Sequence, residues 1–402
     1  MSRFYSYLNT AVAIVRQYDG SQPLASFLKS FFAAHKKHGS KDRKQISHLC
    51  YCYYRTGKMF VGDGLPDDDA LRTRILSGLF LCPATGNDLL NRLKPEWTEK
   101  VHLSLDEKCK LLSVQFPGFE NISISNVFPW RDELSEGIDH DLFCVSFFTQ
   151  PQLFIRLRPG YNEIVKKKLD GAGVKYQPID EDCIAFDNAT KLEGIVAVDK
   201  EAVVQDYSSR QVSEFLKSLV ADGKLQVWDC CAASGGKSIL AKDVLKKIDL
   251  TVSDIRKSIL INLDKRFATA GIKNYTALVA DLTNEQPPFG SGQLLFDLII
   301  CDVPCSGSGT WSRTPEQLFY WHPENIKRYV LLQAKIISNV IRYLKPGGHL
   351  LYITCSVFKK ENEDVVSEAS KKFDLQVLKM DSIRGYDKKA DTMFAALLKS
   401  RV

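Results

Sequence analysis

The chain has 402 residues, of which 45% are hydrophobic and 25% charged, and its formal net charge is +6. Those proportions exclude a largely disordered or collagen-like chain, and no apolar run approaches the ~20 residues of a membrane helix. The mild positive balance permits an anionic partner without demanding one. At ~100–200 residues per domain, two or three domains are expected.

Residues 1–135 are expected to form a helical domain, because LNTAVAIVRQY, PLASFLKSFFAAHKKH and KDRKQISHLCYCYYRTGKMF space apolar residues by three and four. Gly20, Gly39, Gly62 and Gly64 mark the breaks, and Pro66-Asp67-Asp68-Asp69 reads as a loop opening a helix. Basic residues from Lys36 to Arg55 form either a solvated face or an RNA-facing patch. The opening residues show no basic stretch leading into a long apolar one, so no secretion signal is expected.

Residues 136–204 change texture. LFCVSFF, LFIRLRP, CIAF and GIVAV read as short strands and NEIVKKKLDGAG as a helix, which predicts a small α+β module. Arg156 and Arg158 fall on one face of a strand, where they could grip phosphate or merely meet solvent.

Residues 205–402 alternate strand and helix. LQVWDC, DLTVSD, YTALVAD, LLFDLIICD and HLLYITCS are separated by helical stretches, and LQVLKM and TMFAALL add two strands at the end. This order specifies a doubly wound parallel sheet, whose ligands bind beyond the carboxyl ends of the strands.

Four motifs fall at those ends. Asp229-Cys230-Cys231-Ala232-Ala233-Ser234-Gly235-Gly236-Lys237-Ser238 follows a strand and opens a helix. A phosphate-binding loop would need glycine where Cys231 stands, and a dinucleotide fingerprint needs GxGxxG, which is absent. Nucleotide hydrolysis and hydride transfer therefore lose ground. Asp254 and Asp281 close the next two strands, where carboxylates suit ribose hydroxyls and an adenine amino group. An adenosine ligand without a phosphate loop points to S-adenosylmethionine.

The other two motifs carry thiols. Cys301-Asp302-Val303-Pro304-Cys305-Ser306-Gly307-Ser308-Gly309 and Tyr352-Ile353-Thr354-Cys355-Ser356 each place a cysteine among polar residues past a strand. The eleven cysteines are odd in number and include no CxxC zinc pair, so most are expected to be small buried hydrophobes in a reducing compartment, with no metal site. Cys305 and Cys355 are the two that need a chemical account.

CAASGGK, DVPCSGSG and YITCSVFKKENED together resemble the signatures of the RsmB/Nop/Sun family of RNA cytosine-5 methyltransferases. Gln205-Asp206-Tyr207-Ser208-Ser209 and Asp391-Thr392-Met393-Phe394-Ala395-Ala396 resemble segments that flank that family's catalytic sheet, and the helical start is more weakly similar to the NusB-like extension of the RsmB branch. The resemblance implies a Rossmann-like class I methyltransferase sheet over 205–402, an RRM-like α+β module over 136–204 and a NusB-like RNA-binding domain over 1–135. It implies Cys355 as the nucleophile, Cys305 as the residue that helps remove the carbon-5 proton and release the enzyme, and Asp302 on the base. It assigns the cofactor, S-adenosylmethionine, to Cys231, Ala232, Ala233, Ser234, Gly235, Gly236, Lys237, Asp254, Asp281 and Asp302. RNA, with ribosomal RNA foremost, is the implied partner; Arg156 and Arg158 are its candidate contacts. A monomeric cytoplasmic enzyme without membrane association is expected. Transfer to tRNA or another acceptor, and a catalytically silent RNA-binding assembly factor, are the alternatives. Trp311, Arg313, Tyr320 and Trp321 follow the Cys305 loop and are read either as RNA-stacking or as buried packing. The sequence departs from the family at Ser234, where proline is usual, which should loosen the loop slightly, and at Arg210, where glutamine is common.

Overall fold

The computed structural model describes all residues except 1–2, 61–65, 83–86, 117–118, 120, 285–288, 290–293 and 402, so Gly62 and Gly64 lie outside the described residues. Two compact units are found where three domains were expected: one comprises 1–132, 139–150 and 310–322, the other 133–138, 151–309 and 323–402.

The first unit is helical, as its periodicity requires. Arg3–Gln17 buries Leu8, Val12 and Val15 from one stripe. Asp67 caps Asp68–Leu81 by accepting the amides of Asp69 and Ala70 at 3.0 and 2.8 Å, which satisfies two otherwise orphaned donors. Gly78 lies inside that helix because a Cβ there would sit 2.4 Å from the carbonyl oxygen of Cys52, so a side chain would force the two helices apart. The segment LFCVSFF is not a strand: His140–Ser146 is helical, with the Asp139 carboxylate accepting the Leu142 amide at 2.9 Å. A local cap outweighs β-propensity here. Buried Arg55 ties this helix in by donating to the carbonyls of Phe147 at 2.6 Å and Thr149 at 3.2 Å.

Trp311 and Trp321 also belong to this unit. Both are buried, Trp311 packs edge-on to Trp130 at 6.1 Å, and Tyr320 donates to the carbonyl of Tyr18 at 2.6 Å. Packing, rather than base stacking, accounts for these aromatics.

The second unit holds two sheets. The smaller contains β1 (Leu153–Leu157), β2 (Gln177–Pro178), β3 (Cys183–Phe186) and β4 (Ala202–Val204) in the antiparallel order β2-β3-β1-β4. Helix Asn162–Gly171 crosses between β1 and β2, which makes a split βαβ unit. The expected strand GIVAV is instead a turn: Ile195 and Val196 both donate to the Leu192 carbonyl at 3.1 Å, and Gly194 takes φ +79°. Among the described residues, no helix lies between β3 and β4.

The larger sheet is built from β5 (Leu225–Asp229), β6 (Ile248–Asp254), β7 (Tyr275–Val279), β8 (Phe296–Asp302), β9 (Leu344–Thr354), β10 (Leu375–Ile383) and β11 (Met393–Ser400), in the order β10-β11-β9-β8-β5-β6-β7. Neighbours from β9 to β7 are parallel, and β11 runs against both β9 and β10. Alternating side chains feed opposite layers: Val227, Leu298 and Ile300 join one core, while Trp228, Ile299 and Cys301 join the other. Chain order reverses between β5 and β8. The loops after those strands therefore flank a crevice, the position at which open α/β sheets bind ligands.

Candidate active site

The glycine loop turns out of β5 through two left-handed residues, Ala233 at φ +46° and Gly235 at φ +84°. Only glycine fits the second position, where a Cβ would lie 2.5 Å from the Phe267 ring. Ala233 carries the strain of a side chain in that region, and its amide is held by the Asp254 carboxylate at 3.1 Å. The Ala232 amide donates to the Ser253 carbonyl at 2.9 Å. Ser234 is tethered in a way its sequence neighbours do not reveal. Arg266 donates to its carbonyl at 2.9 Å and its hydroxyl at 3.0 Å, and is itself paired with Asp199 at 2.7 Å. The loosening expected from the loss of proline is thus opposed by these bonds.

A cavity of about 540 Å³ opens beside the loop, within the range of small-ligand sites. Cys231, Ala233, Asp254, Asp281 and Asp302 line it, among apolar walls that include Ile255 and Leu282. Ala232, Ser234, Gly235, Gly236 and Lys237 do not line it; they shape the loop behind. Lys237 pairs with Asp302 at 3.1 Å and donates to Ser209 at 2.8 Å. Asp281 accepts the amide and hydroxyl of Thr283, and the hydroxyl bond holds its carboxyl below the usual range. Asp229 is wholly buried, with one oxygen accepting from Ser238 at 2.6 Å, and burial pushes its carboxyl up to about 7. The cavity thus combines three carboxylates, residues of the glycine loop and apolar side chains in one lining, which fits an adenosine-bearing sulfonium.

The two cysteine loops meet next to this cavity, whose lining continues to Pro304. β8 and β9 are paired in parallel with Asp302 opposite Ile353, so both chains leave the sheet together. The Cys305 and Cys355 sulfurs are 3.3 Å apart, and the Cys355 amide donates to the Cys305 sulfur at 3.3 Å. That spacing is well beyond a disulfide bond of about 2.0 Å, and both thiols are free and partly exposed. The hydrogen bond to Cys355, followed by burial, pushes the Cys305 thiol well above its ordinary value. Eight of the other nine cysteines are buried, as a small-hydrophobe role requires, and the ninth is Cys231 in the cavity wall.

Beneath the thiols lies a polar network that sequence reasoning does not anticipate. Glu361 has no exposure, and accepts from the Ser306 amide at 2.9 Å, the Ser356 hydroxyl at 2.8 Å and the Gln333 amide at 3.0 Å. Gln333 also donates to the Pro304 carbonyl at 3.1 Å. One signal is available in the chain itself: Gln333 interrupts the apolar stripe of helix Asn325–Val340, between Ile326 and Ile337, where a polar residue needs a partner.

Arg156 and Arg158 require a correction. Arg156 is 2% exposed and donates to Asp243 at 2.7 Å and Gln205 at 2.8 Å. Arg158 meets the other Asp243 oxygen at 2.8 Å and donates to the Ala270 carbonyl at 2.8 Å, at the end of helix Lys257–Ala270. They fasten the small module to two helices of the large sheet and are not disposed toward phosphate. Arg210 is likewise buried, paired with Asp180 and Asp182. The two segments that flank the catalytic sheet meet each other: the Asp206 carboxylate accepts the Asp391 amide at 3.2 Å.

Sheet order, loop and cavity define a class I methyltransferase domain. Residues 218–397 match the family model for the 16S rRNA methyltransferase RsmB/F, and this stretch is a methyltransferase domain of the RsmB/F family. Ribosomal RNA small subunit methyltransferase B of Xylella fastidiosa is 30% identical over 253 residues, 60% of this chain and 58% of that protein. The enzyme of the same name from Salmonella paratyphi A is 30% identical over 201 residues, 49% of this chain and 46% of that protein. The chain thus spans about half the length of the curated relatives it matches. The fold is similar to the crystal structure of PH0851, at 20% identity and a TM-score of 0.68 over 100% of this chain and 99% of that one. It is also similar to NSun6 from Pyrococcus horikoshii with SFG, at 15% identity and a TM-score of 0.56 over 65% of this chain and 94% of that one. Among the described residues, no helix is long and apolar enough to cross a membrane, and no group of three or more His, Cys, Asp or Glu could hold a metal ion.

Proposed function

We propose that the protein is an RNA (cytosine-5)-methyltransferase that uses S-adenosylmethionine, with small-subunit ribosomal RNA as its substrate. The observation that carries this reading is the pair of thiols at 3.3 Å, at the carboxyl ends of adjacent parallel strands and beside the cavity. The names of the relatives support ribosomal RNA, and the ligand SFG of NSun6, a cofactor analogue, supports the cofactor.

Carbon 5 of cytosine is a feeble nucleophile. In this reading the Cys355 thiolate adds to carbon 6 and the ring electrons move to carbon 5, which makes it enamine-like; covalent catalysis thereby divides one hard step into two easier ones. S-adenosylmethionine supplies the electrophilic methyl group. Cys231, Ala233, Asp254 and Asp281 bind the adenosine part, and Asp302, ion-paired to Lys237, faces the base. Cys305, acting as its thiolate, then takes the carbon-5 proton and becomes a thiol, while the electrons of that C–H bond restore the C5–C6 double bond and the C6–S bond breaks to release Cys355 as a thiolate. The target base must be unstacked to reach the cleft.

The test is transfer of tritium from labelled S-adenosylmethionine to RNA, with nucleoside analysis of the product and bisulfite sequencing to locate it. 5-Methylcytosine in ribosomal RNA is the expected result. A methyl group on another atom would overturn the chemistry, and a methylated tRNA would overturn the substrate.

A further inference from the structure

One buried carboxylate and one buried amide enclose the Cys305 loop on both sides. Going along the chain, the Pro304 carbonyl accepts from Gln333, Cys305 follows, and the Ser306 amide donates to Glu361. Gln333 and Glu361 are themselves hydrogen-bonded at 3.0 Å, which closes the ring. The second Glu361 oxygen accepts from Ser356, the residue after Cys355. Both groups are fully buried, Gln333 on helix Asn325–Val340 and Glu361 at the end of the 3-10 turn Lys359–Glu361, where the Tyr352 hydroxyl donates to the Glu361 carbonyl at 2.6 Å. A single carboxylate thus grips the residue that follows each of the two thiols.

We propose that Glu361 and Gln333 are positioning residues, whose hydrogen bonds to Pro304, Ser306 and Ser356 set the distance between the Cys305 and Cys355 sulfurs. The inference rests on the catalytic reading of those thiols for its consequence, although the geometry itself can be tested without it. Neither side chain reaches the reacting atoms. Burying a carboxylate costs free energy unless it is well bonded, and three donors converging on Glu361 supply that compensation from the two loops that must be aligned. An apolar residue would fill the space, but could not hold two loops in register. Substituting glutamine keeps the volume and replaces one acceptor oxygen by a donor, which faces either the Ser306 and Gln333 donors or the Ser356 hydroxyl.

The experiment uses the full chain and two variants, Glu361→Gln and Gln333→Leu. Folded protein is treated with dibromobimane, which bridges two close thiols, and the bridged 305 and 355 peptides are quantified by mass spectrometry. S-adenosylhomocysteine binding is measured alongside by calorimetry. Wild type should give the bridged peptide pair. Each variant should reduce its yield at least fivefold and leave S-adenosylhomocysteine affinity within twofold of wild type. On turnover with RNA, both should lower kcat at least tenfold with little change in the cofactor KM, and accumulate a denaturant-resistant RNA adduct because release is misaligned. Bridging at the wild-type level in both variants would overturn the proposal, and so would loss of S-adenosylhomocysteine binding in both, since the pair would then support the whole fold. Absence of the bridged pair in wild type would overturn it too. Absence of methyl transfer by wild type, with bridging lost only in the variants, would overturn the catalytic reading and leave the positioning role standing.

Discussion

The sulfur of Cys305 lies 3.3 Å from that of Cys355, although 50 residues of chain separate them. Two adjacent parallel strands and the helix that returns between them account for this proximity. In the proposed mechanism the two thiols have separable duties, and substitution should separate them. Cys355→Ala is expected to lower methyl transfer by at least about 10³-fold, while S-adenosylhomocysteine still binds. Cys305→Ala should trap the protein on its RNA. A denaturing gel of each variant after incubation with RNA and S-adenosylmethionine checks both outcomes: a shifted band for Cys305→Ala and none for Cys355→Ala.

Gly309 sits where the Cys305 loop passes between two other segments. Its amide donates to the Cys355 carbonyl at 2.9 Å, and its carbonyl accepts from the Thr392 amide at 2.9 Å. A Cβ at this position would lie 1.9 Å from the Thr392 carbonyl oxygen and 3.1 Å from that of Cys355. Both obstacles are backbone, so neither can rotate away. Gly309→Ala is expected to cost about 1–3 kcal/mol and to reduce turnover, read from urea unfolding and tritium transfer.

Much of this is legible in the sequence, because the signals are local. A thiol in a run of glycine, proline and serine past an apolar strand is a poor core sequence, so Cys305 and Cys355 stand out, and the alternation of strand and helix specifies the sheet. What is not legible depends on residues far apart in the chain. Arg156 and Arg158 lie on one strand face, but nothing near them in sequence shows that Asp243 comes to meet both. Glu361 lies within a conspicuous motif, yet its partners Ser306 and Gln333 come from two other elements. GIVAV and LFCVSFF mislead for a different reason. In each, a short hydrogen-bonded turn or cap overrides the β-propensity of valine and phenylalanine.

The arginine pair gives a test that distinguishes fastening from RNA binding. Asp243→Ala removes the shared partner of two guanidinium groups, one of them 2% exposed, and is expected to destabilise the protein by about 3–5 kcal/mol. Arg158→Gln should also lower the melting temperature. An arginine on a phosphate would instead show in the salt dependence of RNA binding, whose logarithmic slope falls by about 1 for each phosphate no longer neutralised. The expected slope for Arg158→Gln is that of wild type.

Asp229 makes stability depend on pH in a definite direction. Burial raises its folded value to about 7, with Asp302 and Asp254 adding to the rise and Ser238 and Lys237 opposing it. The native state therefore keeps a proton that the unfolded chain loses near pH ~4. Its contribution is fully present below that point, falls by about 1.4 kcal/mol per pH unit in between, and is gone once the pH passes the folded value. Asp229→Asn, which mimics the neutral acid, should gain stability relative to wild type between about pH 5 and pH 7 and hold a constant difference above. Denaturant titrations of both proteins across roughly pH 5–8 check the slope.

The helical unit is completed by residues 310–322, which are synthesised after four strands of the large sheet. A nascent chain ending at residue 150 would lack the indoles of Trp311 and Trp321, leaving part of its aromatic interior without a cover. During translation the N-terminal helices must therefore wait, partly assembled, for a piece that emerges much later. A protein cut at the apparent domain boundary would inherit that incomplete state permanently.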